Sequence, residues 1–323
     1  MTLNKENFCQ KLGLQHPIFC GPMFPCSNPE LVAAASAAGI LGVMQPLSMT
    51  YSHGWDFQDG MDYMKSVTPN PIGMNALIES STQRHLDRMK KYVDLAIENG
   101  VRVIITSLGK PDWVVKKLEE VGGYVFHDVT QKKWAQIGAD CGVHGLICVN
   151  DRAGGHLGQK SKQTLFNELK DFKIPLICAG GISTREDYLE ALEIGYCAVQ
   201  LGTRFIASKE CNAHIDYKRA IVKAKEKDIT ETLKISGVPI SVINTEHVQA
   251  SGTKLGKIES FLFKNPKTKK LMRALYALKM FRGLSKANSK ASQYKGYWCA
   301  GRSVEGIDEI LSVQEIVDSL VKA

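Results

Sequence analysis

The chain has 323 residues, of which 44% are hydrophobic, and a formal net charge of +8. That length can bury the core of one large barrel or of two ordinary domains. No apolar run reaches the roughly 18 residues of a transmembrane helix, and MTLNKENFCQ lacks the pattern of a signal peptide, so we expect a cytoplasmic protein without a membrane span. The nine cysteines form no C-x-x-C pair. Buried reduced thiols therefore explain them better than disulfides, zinc or an iron–sulfur cluster, and we predict no metal site.

Positive charge is concentrated near the C-terminus. Residues 260–304 contain 11 Lys and Arg residues and no Asp or Glu. Such a run usually forms a solvated face, and no nucleic-acid-binding motif accompanies it, so we expect no nucleic-acid partner. The alternative is a docking face for an acidic carrier protein, for which the candidates are Lys267, Lys269, Lys270 and Arg273.

Short apolar segments alternate with segments of helical periodicity through the first 205 residues. One helix begins at Asn28-Pro29, a cap followed by a first-turn proline, and another begins at Thr184 with Asp187 three residues on. The segment between 46 and 71 is interpreted as a polar, aromatic loop. Eight strands alternating with helices predict an α/β fold, a (β/α)₈ TIM barrel. The predicted strands are 18–23, 40–46, 71–77, 101–111, 124–129, 145–149, 174–183 and 196–205.

The alternation ends after Phe205. We predict a barrel over residues 1–210 and a smaller helical lid or substrate domain over 211–295, with helices at 214–227 and 267–282. A C-terminal segment, 296–323, should return to the barrel through a final helix.

In a barrel of this kind the chemistry lies where the strands end. Barrels that hold a phosphorylated cofactor commonly bind the phosphate with the loops after strands seven and eight, through backbone N–H groups and a helix N-terminus. The segments AGGIS and QLGTRF suit that role, because Gly180 and Gly181 permit close approach and Thr203 adds a hydroxyl donor. No G-x-G-x-x-G follows a strand, which disfavours a Rossmann nucleotide site.

The segment GLICVNDRAGGHLG, residues 145–158, predicts a strand that ends in a tight glycine loop presenting one imidazole. Gly154 and Gly155 would let the backbone approach a flat or anionic ligand, and His156 would handle a proton, since its unperturbed pKa lies near neutrality. His127, at the end of the fifth predicted strand, is a second candidate, although a histidine in such a run is more often structural.

These motifs together resemble the nitronate monooxygenase (2-nitropropane dioxygenase-like) family, and the related flavin enoyl-[acyl-carrier-protein] reductases share many of them. The resemblance rests on GPM, NPELVAAASAAGILGVM, GMN, AGGHLG, CAGGIS and QLGTRF in this order, and it resumes at SGVPISVI and YWCAGRSVEGIDEI. It implies an FMN-containing barrel with a smaller lid domain, in which His156 acts as the catalytic base above the flavin. The FMN-binding residues that it implies are Pro22, Met23, Asn75, Gly154, Gly155, Gly180, Gly181, Gln200, Gly202 and Thr203.

The family resemblance implies an FMN-dependent oxidoreductase that oxidises alkyl nitronates with O₂. The alternatives are an NAD(P)H-dependent flavin reductase of enoyl thioesters or quinones, and a non-catalytic flavin-binding barrel. Many relatives have an acidic residue just before AGGH, where this chain has Arg152. A permanent positive charge there favours a small anionic substrate such as a nitronate, unless the guanidinium pairs with Asp151 or points away.

Overall fold

The structure is a computed structural model that describes residues 3–79, 82–265, 268, 272, 275, 276 and 296–322. Eight parallel strands form a closed barrel, in which the last strand pairs with the first. The predicted TIM barrel and its eight strands are confirmed. The fifth and sixth strands have the predicted bounds, and the other six are shorter than predicted. The barrel strands are β1 (Ile18–Cys20), β2 (Leu41–Met44), β3 (Ile72–Leu77), β4 (Val103–Ser107), β5 (Tyr124–Val129), β6 (Gly145–Val149), β8 (Leu176–Ala179) and β9 (Ala198–Leu201). A short strand outside the barrel, β7, spans Gly155–His156.

Helices surround the barrel. The predicted capping box at Thr184 is present, with Asp187 accepting from the Thr184 backbone N–H. The helices are α1 (Phe8–Leu12), α2 (Pro29–Ala37), α3 (Phe57–Val67), α4 (Gln83–Glu98), α5 (Asp112–Glu119), α6 (Lys132–Asp140), α7 (Lys162–Leu169), α8 (Arg185–Ile194), α9 (Thr203–Ile206), α10 (Ile215–Lys223), α11 (Glu246–Ser251), α12 (Lys257–Lys264) and a C-terminal helix (Val313–Val321). No helix within the described ranges is long and apolar enough to cross a membrane.

Helix α3 corrects the prediction of a loop between 46 and 71. Asp56 caps this helix by accepting a hydrogen bond from the Gln58 N–H, and Phe57, Met61 and Met64 are buried. Their spacing is helical. Gly60 interrupts the apolar pattern, but a Cβ atom there would lie 2.4 Å from the Met49 Sδ atom. Gly60 therefore lies inside the helix, packed against the Met49 side chain, and does not end it.

Three aromatic side chains pack against one another inside the barrel. Phe19 of β1 and Phe126 of β5 meet edge to face with ring centroids 5.6 Å apart. Phe8 of α1 packs on both of them, at 6.0 Å from Phe19 and 5.9 Å from Phe126. All three are buried. The rings are part of the packed barrel interior, and in this fold ligands bind at the carboxyl ends of the strands.

The region after the barrel contains a second sheet that the sequence interpretation missed. Strands β10 (Ile229–Thr232) and β11 (Ile240–Ile243) form an antiparallel hairpin, and β7 pairs with the free edge of β11. The prediction of helices alone over 211–295 is therefore incomplete, although the helix expected at 214–227 is present as α10. The predicted helix at 267–282 and the basic face at Lys267, Lys269, Lys270 and Arg273 lie outside the described residues.

All nine cysteines are free thiols. Five of them are buried, namely Cys20, Cys26, Cys148, Cys178 and Cys211. Among the described residues, no three His, Cys, Asp or Glu side chains converge in a way that would hold a metal ion.

Helix α2 lies so close to β2 that one strand position must be glycine. A Cβ atom on Gly42 would lie 2.1 Å from the carbonyl oxygen of Val32, which cannot move without distorting α2. We expect Gly42→Ala to lower the free energy of unfolding by about 1–3 kcal/mol or more, measured by urea denaturation. Gly73→Ala in the adjacent strand is the matched control, because its Cβ would lie 3.2 Å from the flexible Leu41 side chain. Equal stability losses in the two variants would contradict this account.

Candidate active site

Asn150 organises the loop that follows β6. Its side chain is fully buried, with Oδ1 accepting from the Arg152 N–H at 2.8 Å and Nδ2 donating to the Gly180 carbonyl at 2.9 Å. The Gly158 N–H also donates to the Asn150 carbonyl, at 3.1 Å. One residue therefore closes the loop through its backbone carbonyl and ties it to the end of β8 through its side chain. Asn150 directly follows the sixth predicted strand, where the chemistry was expected, but no role was predicted for its side chain.

His156 lies on a strand and not on a free turn. Gly155 pairs with Ser241 and His156 with Ile240 of β11, so that the hairpin fixes the height of the imidazole. Gly155 has φ +69, a left-handed conformation that favours glycine, and no atom lies within 4 Å of the position that a Cβ atom would occupy. The His156 side chain is exposed, and partial desolvation by the surrounding protein atoms lowers the pKa of its imidazole below 6.5. The imidazole is therefore predominantly neutral at pH 7.

Arg152 does not carry a free positive charge. Its Nη1 and Nη2 atoms bind the two carboxylate oxygens of Glu226 at 3.0 and 2.8 Å, and Arg302 approaches the same carboxylate at 3.6 Å. The Arg302 N–H also donates to the Arg152 carbonyl at 3.0 Å. Arg152 is therefore ion-paired, but with Glu226 and not with Asp151, the partner that the sequence analysis left open. The guanidinium joins the loop to the segment before β10.

Gly180 and Gly181 lie directly against the loop that Asn150 organises. A Cβ atom on Gly180 would lie 2.4 Å from Asn150 Oδ1, and one on Gly181 would lie 2.9 Å from the Arg152 side chain. Both have positive φ, 112 and 74. The close packing of two loops thus requires these glycines. The helix that follows, α8, has its first N–H groups capped by Thr184 and Asp187, so its N-terminus is less available to a phosphate than the sequence suggested.

The end of β9 meets the end of β1 and the C-terminal segment. The Met23 Sδ atom is the nearest neighbour of a Cβ placed on Gly202, at 3.5 Å. The Thr203 Oγ1 atom accepts a hydrogen bond from the Gly301 N–H at 3.0 Å and keeps its own hydroxyl proton for another acceptor. Pro22 is half-buried beside Met23. The single turn of α9 begins here, and its first intrahelical hydrogen bond runs from the Phe205 N–H to the Gly202 carbonyl at 2.9 Å, so the Thr203 and Arg204 N–H groups precede the intrahelical bonds.

Gln200 is the penultimate residue of β9, and its side chain faces the barrel mouth. Two residues earlier, Ala198 belongs to the barrel interior, so Gln200 points to the same side. Its side chain packs on Gly21, where a Cβ atom would lie 2.8 Å from Gln200 Cγ. The Oε1 atom is buried and has no hydrogen-bond partner among the described residues. Buried acceptors are normally paired, so this atom fits a ligand that donates a hydrogen bond.

The ends of β3, β4 and β5 carry a row of polar side chains. Asn75 is buried and donates to the Ile105 carbonyl at 3.2 Å and to Ser107 Oγ at 3.4 Å. Ser107 Oγ donates in turn to Asp128 Oδ2 at 2.5 Å. Burial raises the pKa of Asp128 to about 6, against the opposing effect of the Ser107 hydrogen bond. Asp128 lies at the end of the fifth predicted strand, where the chemistry was expected, but no role was predicted for it.

His127 has a structural place. It is 3% exposed and lies against Gly138 of α6, and its Nδ1 atom is 2.8 Å from Thr106 Oγ1. Burial lowers its pKa to about 4. The imidazole therefore faces the helix layer and stays neutral, as a hydrogen-bonded structural histidine should.

The predicted site residues thus lie at the carboxyl ends of the barrel strands, in loops that contact one another. Gly154 approaches the C-terminal segment so closely that a Cβ atom would lie 2.7 Å from the Gly301 nitrogen. The arrangement combines glycine-rich loops after β8 and β9, an unpaired amide oxygen at Gln200 and a neutral imidazole at His156. These groups fit a flat cofactor that carries a phosphate.

Comparison with known proteins places the chain among flavin enzymes. A sequence model of the family described as nitronate monooxygenase matches residues 5–323. A "probable nitronate monooxygenase" of Staphylococcus aureus (strain MSSA476) is 25% identical over 312 residues, covering 84% of this chain and 87% of that protein. A protein of Rhodococcus jostii (strain RHA1), named (3aS,4S,5R,7aS)-5-hydroxy-7a-methyl-1-oxo-octahydro-1H-indene-4-carboxyl-CoA dehydrogenase, is 28% identical over 251 residues, or 77% of this chain and 69% of the relative.

The structure of FabK from Thermotoga maritima superimposes with a TM-score of 0.79 and 29% sequence identity, over 99% of this chain and 96% of that one. The family match spans nearly the whole sequence, from residue 5 to residue 323, and the fold agrees with it. The chain therefore belongs to the nitronate monooxygenase family and is a flavin-dependent oxidoreductase.

Proposed function

We propose that the protein uses FMN to oxidise alkyl nitronates with O₂, with His156 as the residue that handles the substrate proton. The observation that carries the proposal is the exposed, neutral imidazole of His156, held by β11 beside the glycine-rich loops at the barrel mouth. Family membership and the Staphylococcus aureus relative support the choice of nitronates as substrates.

The FMN phosphate would be held by backbone N–H groups of two loops, one containing Gly180 and Gly181 and the other Gly202 and Thr203. The Thr203 hydroxyl proton is available for the same phosphate, since its oxygen already accepts from Gly301. Around the ring, the binding residues would be Pro22, Met23, Asn75, Gly154, Gly155 and Gln200. When bound, FMN supplies the electron acceptor at its ring, which no side chain of the protein can replace.

His156 has the properties of a general base. Because its pKa is lowered, it remains unprotonated at pH values where a solvated histidine would already be charged. A neutral imidazole can take the proton from the carbon of a nitroalkane and then stabilise the resulting anion as a hydrogen-bond donor. Pairing of β7 with β11 holds the ring in place, so little orientational freedom has to be lost on binding.

A second function is favoured by one specific observation. The bidentate pairing of Arg152 with Glu226 offsets the positive charge that was expected to attract a small anion. A loop whose guanidinium is already paired suits an uncharged carbonyl substrate at least as well. The identities of 28% to the CoA-thioester dehydrogenase and of 29% to FabK favour an NAD(P)H-dependent reductase of thioesters or quinones as the alternative.

The cofactor prediction follows from the two glycine loops. Purified protein should be yellow, and the chromophore released by heat should be FMN, because each loop offers N–H groups to a single terminal phosphate. Thin-layer chromatography or mass spectrometry identifies the released flavin. Release of FAD, or a colourless protein that takes up no added FMN, would overturn the proposed function.

The role of His156 predicts a substrate-dependent loss. His156→Ala should keep the flavin spectrum but lower turnover of neutral nitroethane by roughly 10²–10⁴, the usual range for a lost general base. Pre-formed ethyl nitronate needs no deprotonation, so its turnover should fall less. In the unmodified enzyme, nitroethane turnover should persist as the pH falls through 6.5 and decline only below the lowered pKa of His156.

The matched control is His127→Asn, which changes the structural histidine on β5. Its turnover should stay within a few-fold of that of the unmodified enzyme, provided that its melting temperature shows a folded protein. If the His156 variant retained near-normal nitroethane turnover, the glycine loop would have only a structural role.

The two enzyme functions differ in what reduces the flavin. Anaerobic mixing with ethyl nitronate should bleach the flavin absorbance within the time of a catalytic turnover, whereas NADH and NADPH should reduce it far more slowly. Stopped-flow absorbance at the flavin maximum makes the comparison, and free FMN under the same conditions is the control. Rapid reduction by a nicotinamide nucleotide without nitronate oxidation would favour the reductase.

A further inference from the structure

The carboxyl group of Asp128 lies at the barrel mouth, and the proposed function gives it no role. Residues of β5 alternate between the two sides of the barrel wall: Phe126 packs inside against Phe19, and His127 packs outside against α6. Asp128 therefore faces the interior, one layer above Phe126 and at the carboxyl end of the strand. This is the end at which ligands enter.

Only one of the two carboxyl oxygen atoms of Asp128 has a hydrogen-bond partner among the described residues. Ser107 donates to its Oδ2 atom at 2.5 Å, and Asn75 donates to Ser107 at 3.4 Å. The Oδ1 atom is buried and has no hydrogen-bond partner among the described residues. Across the mouth, the Oε1 atom of Gln200 has the same property. Two buried acceptors that face one opening point to a ligand between them that carries N–H or O–H donors.

We propose that the carboxyl group of Asp128 hydrogen-bonds the isoalloxazine ring of the flavin and that its negative charge lowers the midpoint potential of that flavin. This inference rests on the proposed function, because it requires FMN at the barrel mouth with its phosphate near the ends of β8 and β9. The polar edge of the ring carries an N–H donor between two carbonyl acceptors. A carboxyl group can match either kind of atom, according to its protonation state.

The charge of Asp128 depends on few neighbours. Burial and the Ser107 hydroxyl are the causes of its pKa of about 6. The flanking strands β4 and β6 carry no Asp, Glu, Lys, Arg or His, and His127 on β5 itself faces the helices. Charged side chains on the helices packed against the outer face of β5 are Asp112, Lys116, Lys117, Glu119, Lys132, Lys133 and Asp140. Asp128 is thus an anion well above pH 6 and neutral well below it.

A negative charge beside the flavin disfavours the added electrons, so removing it should make reduction easier. At about pH 8, Asp128→Asn should raise the midpoint potential by at least about 30 mV, which is a tenfold change in the relative affinity for reduced and oxidised flavin in a two-electron couple. At about pH 5, where the carboxyl is protonated and resembles the amide, the two potentials should converge. The midpoint potential is measured by slow anaerobic reduction of the protein in equilibrium with a reference dye.

Two further variants make the result specific. Asp112→Asn removes an exposed carboxylate at the start of α5 and should leave the potential unchanged at both pH values. Ser107→Ala keeps the acid but removes the hydrogen bond that lowers its pKa, so the pH dependence of the potential should shift to higher pH. This variant also tests the proposal if Asp128→Asn fails to fold.

Failure of the inference is distinguishable from failure of the proposed function. A protein that binds no FMN would overturn the proposed function. Retained FMN with a potential that is equal in the unmodified protein and in Asp128→Asn would overturn the role of Asp128 alone. A difference in potential that is the same at both pH values would also contradict it, since the titrating charge would then not be the cause.

Discussion

The parallel pairing of β9 with β1 is the constraint on which the rest of the molecule depends. Ile18, Phe19 and Cys20 lie opposite Val199, Gln200 and Leu201, and this register closes the barrel. Closure brings the carboxyl ends of eight strands from distant parts of the sequence to one mouth. The same register sets the Gln200 side chain against Gly21, where a Cβ atom would lie 2.8 Å from Gln200 Cγ. The candidate site is therefore a direct consequence of how the last strand meets the first.

The mouth is also held by contacts that reach beyond the barrel. Thr203 accepts from Gly301, and Arg152 binds Glu226, so that the loops after β6 and β9 are fastened to segments about 74 to 98 residues further along the chain. Each contact is modest by itself, and the exposed ion pair in particular contributes little to stability. Their effect is geometric. They hold the His156 strand and the C-terminal segment at fixed distances from the glycine loops.

Much of the barrel could be predicted because its signals are local. Apolar runs ending in glycine or a polar residue mark the strands, and Thr184 with Asp187 marks the start of α8. Helix α3 was missed because its segment is rich in polar residues and its apolar contacts are few, namely Phe57, Met61 and Met64, with Gly60 among them. The hairpin of β10 and β11 was missed because its strands have four residues each and pair with only two residues of β7, which carry little periodic signal.

Some site residues likewise have local sequence signals, and others do not. Glycines and His156 could be identified from motifs, but the partner of Arg152 could not, because Glu226 is 74 residues away in sequence. The importance of Asn150 and Asp128 depends on which side of a strand each residue faces and on what remains unpaired there. Such information arises only when the strands are in register. Sequence patterns therefore locate the mouth, and three-dimensional packing assigns the roles within it.

The central claim is that FMN lies across this mouth beneath His156. A crystal structure of the protein with FMN tests it most directly. The account predicts the phosphate at the loops of Gly180–Gly181 and Gly202–Thr203, ring donors within hydrogen-bonding distance of Gln200 Oε1, and the imidazole of His156 over the ring face. A flavin bound elsewhere, or one whose ring leaves Gln200 unpaired and His156 out of reach, would contradict it.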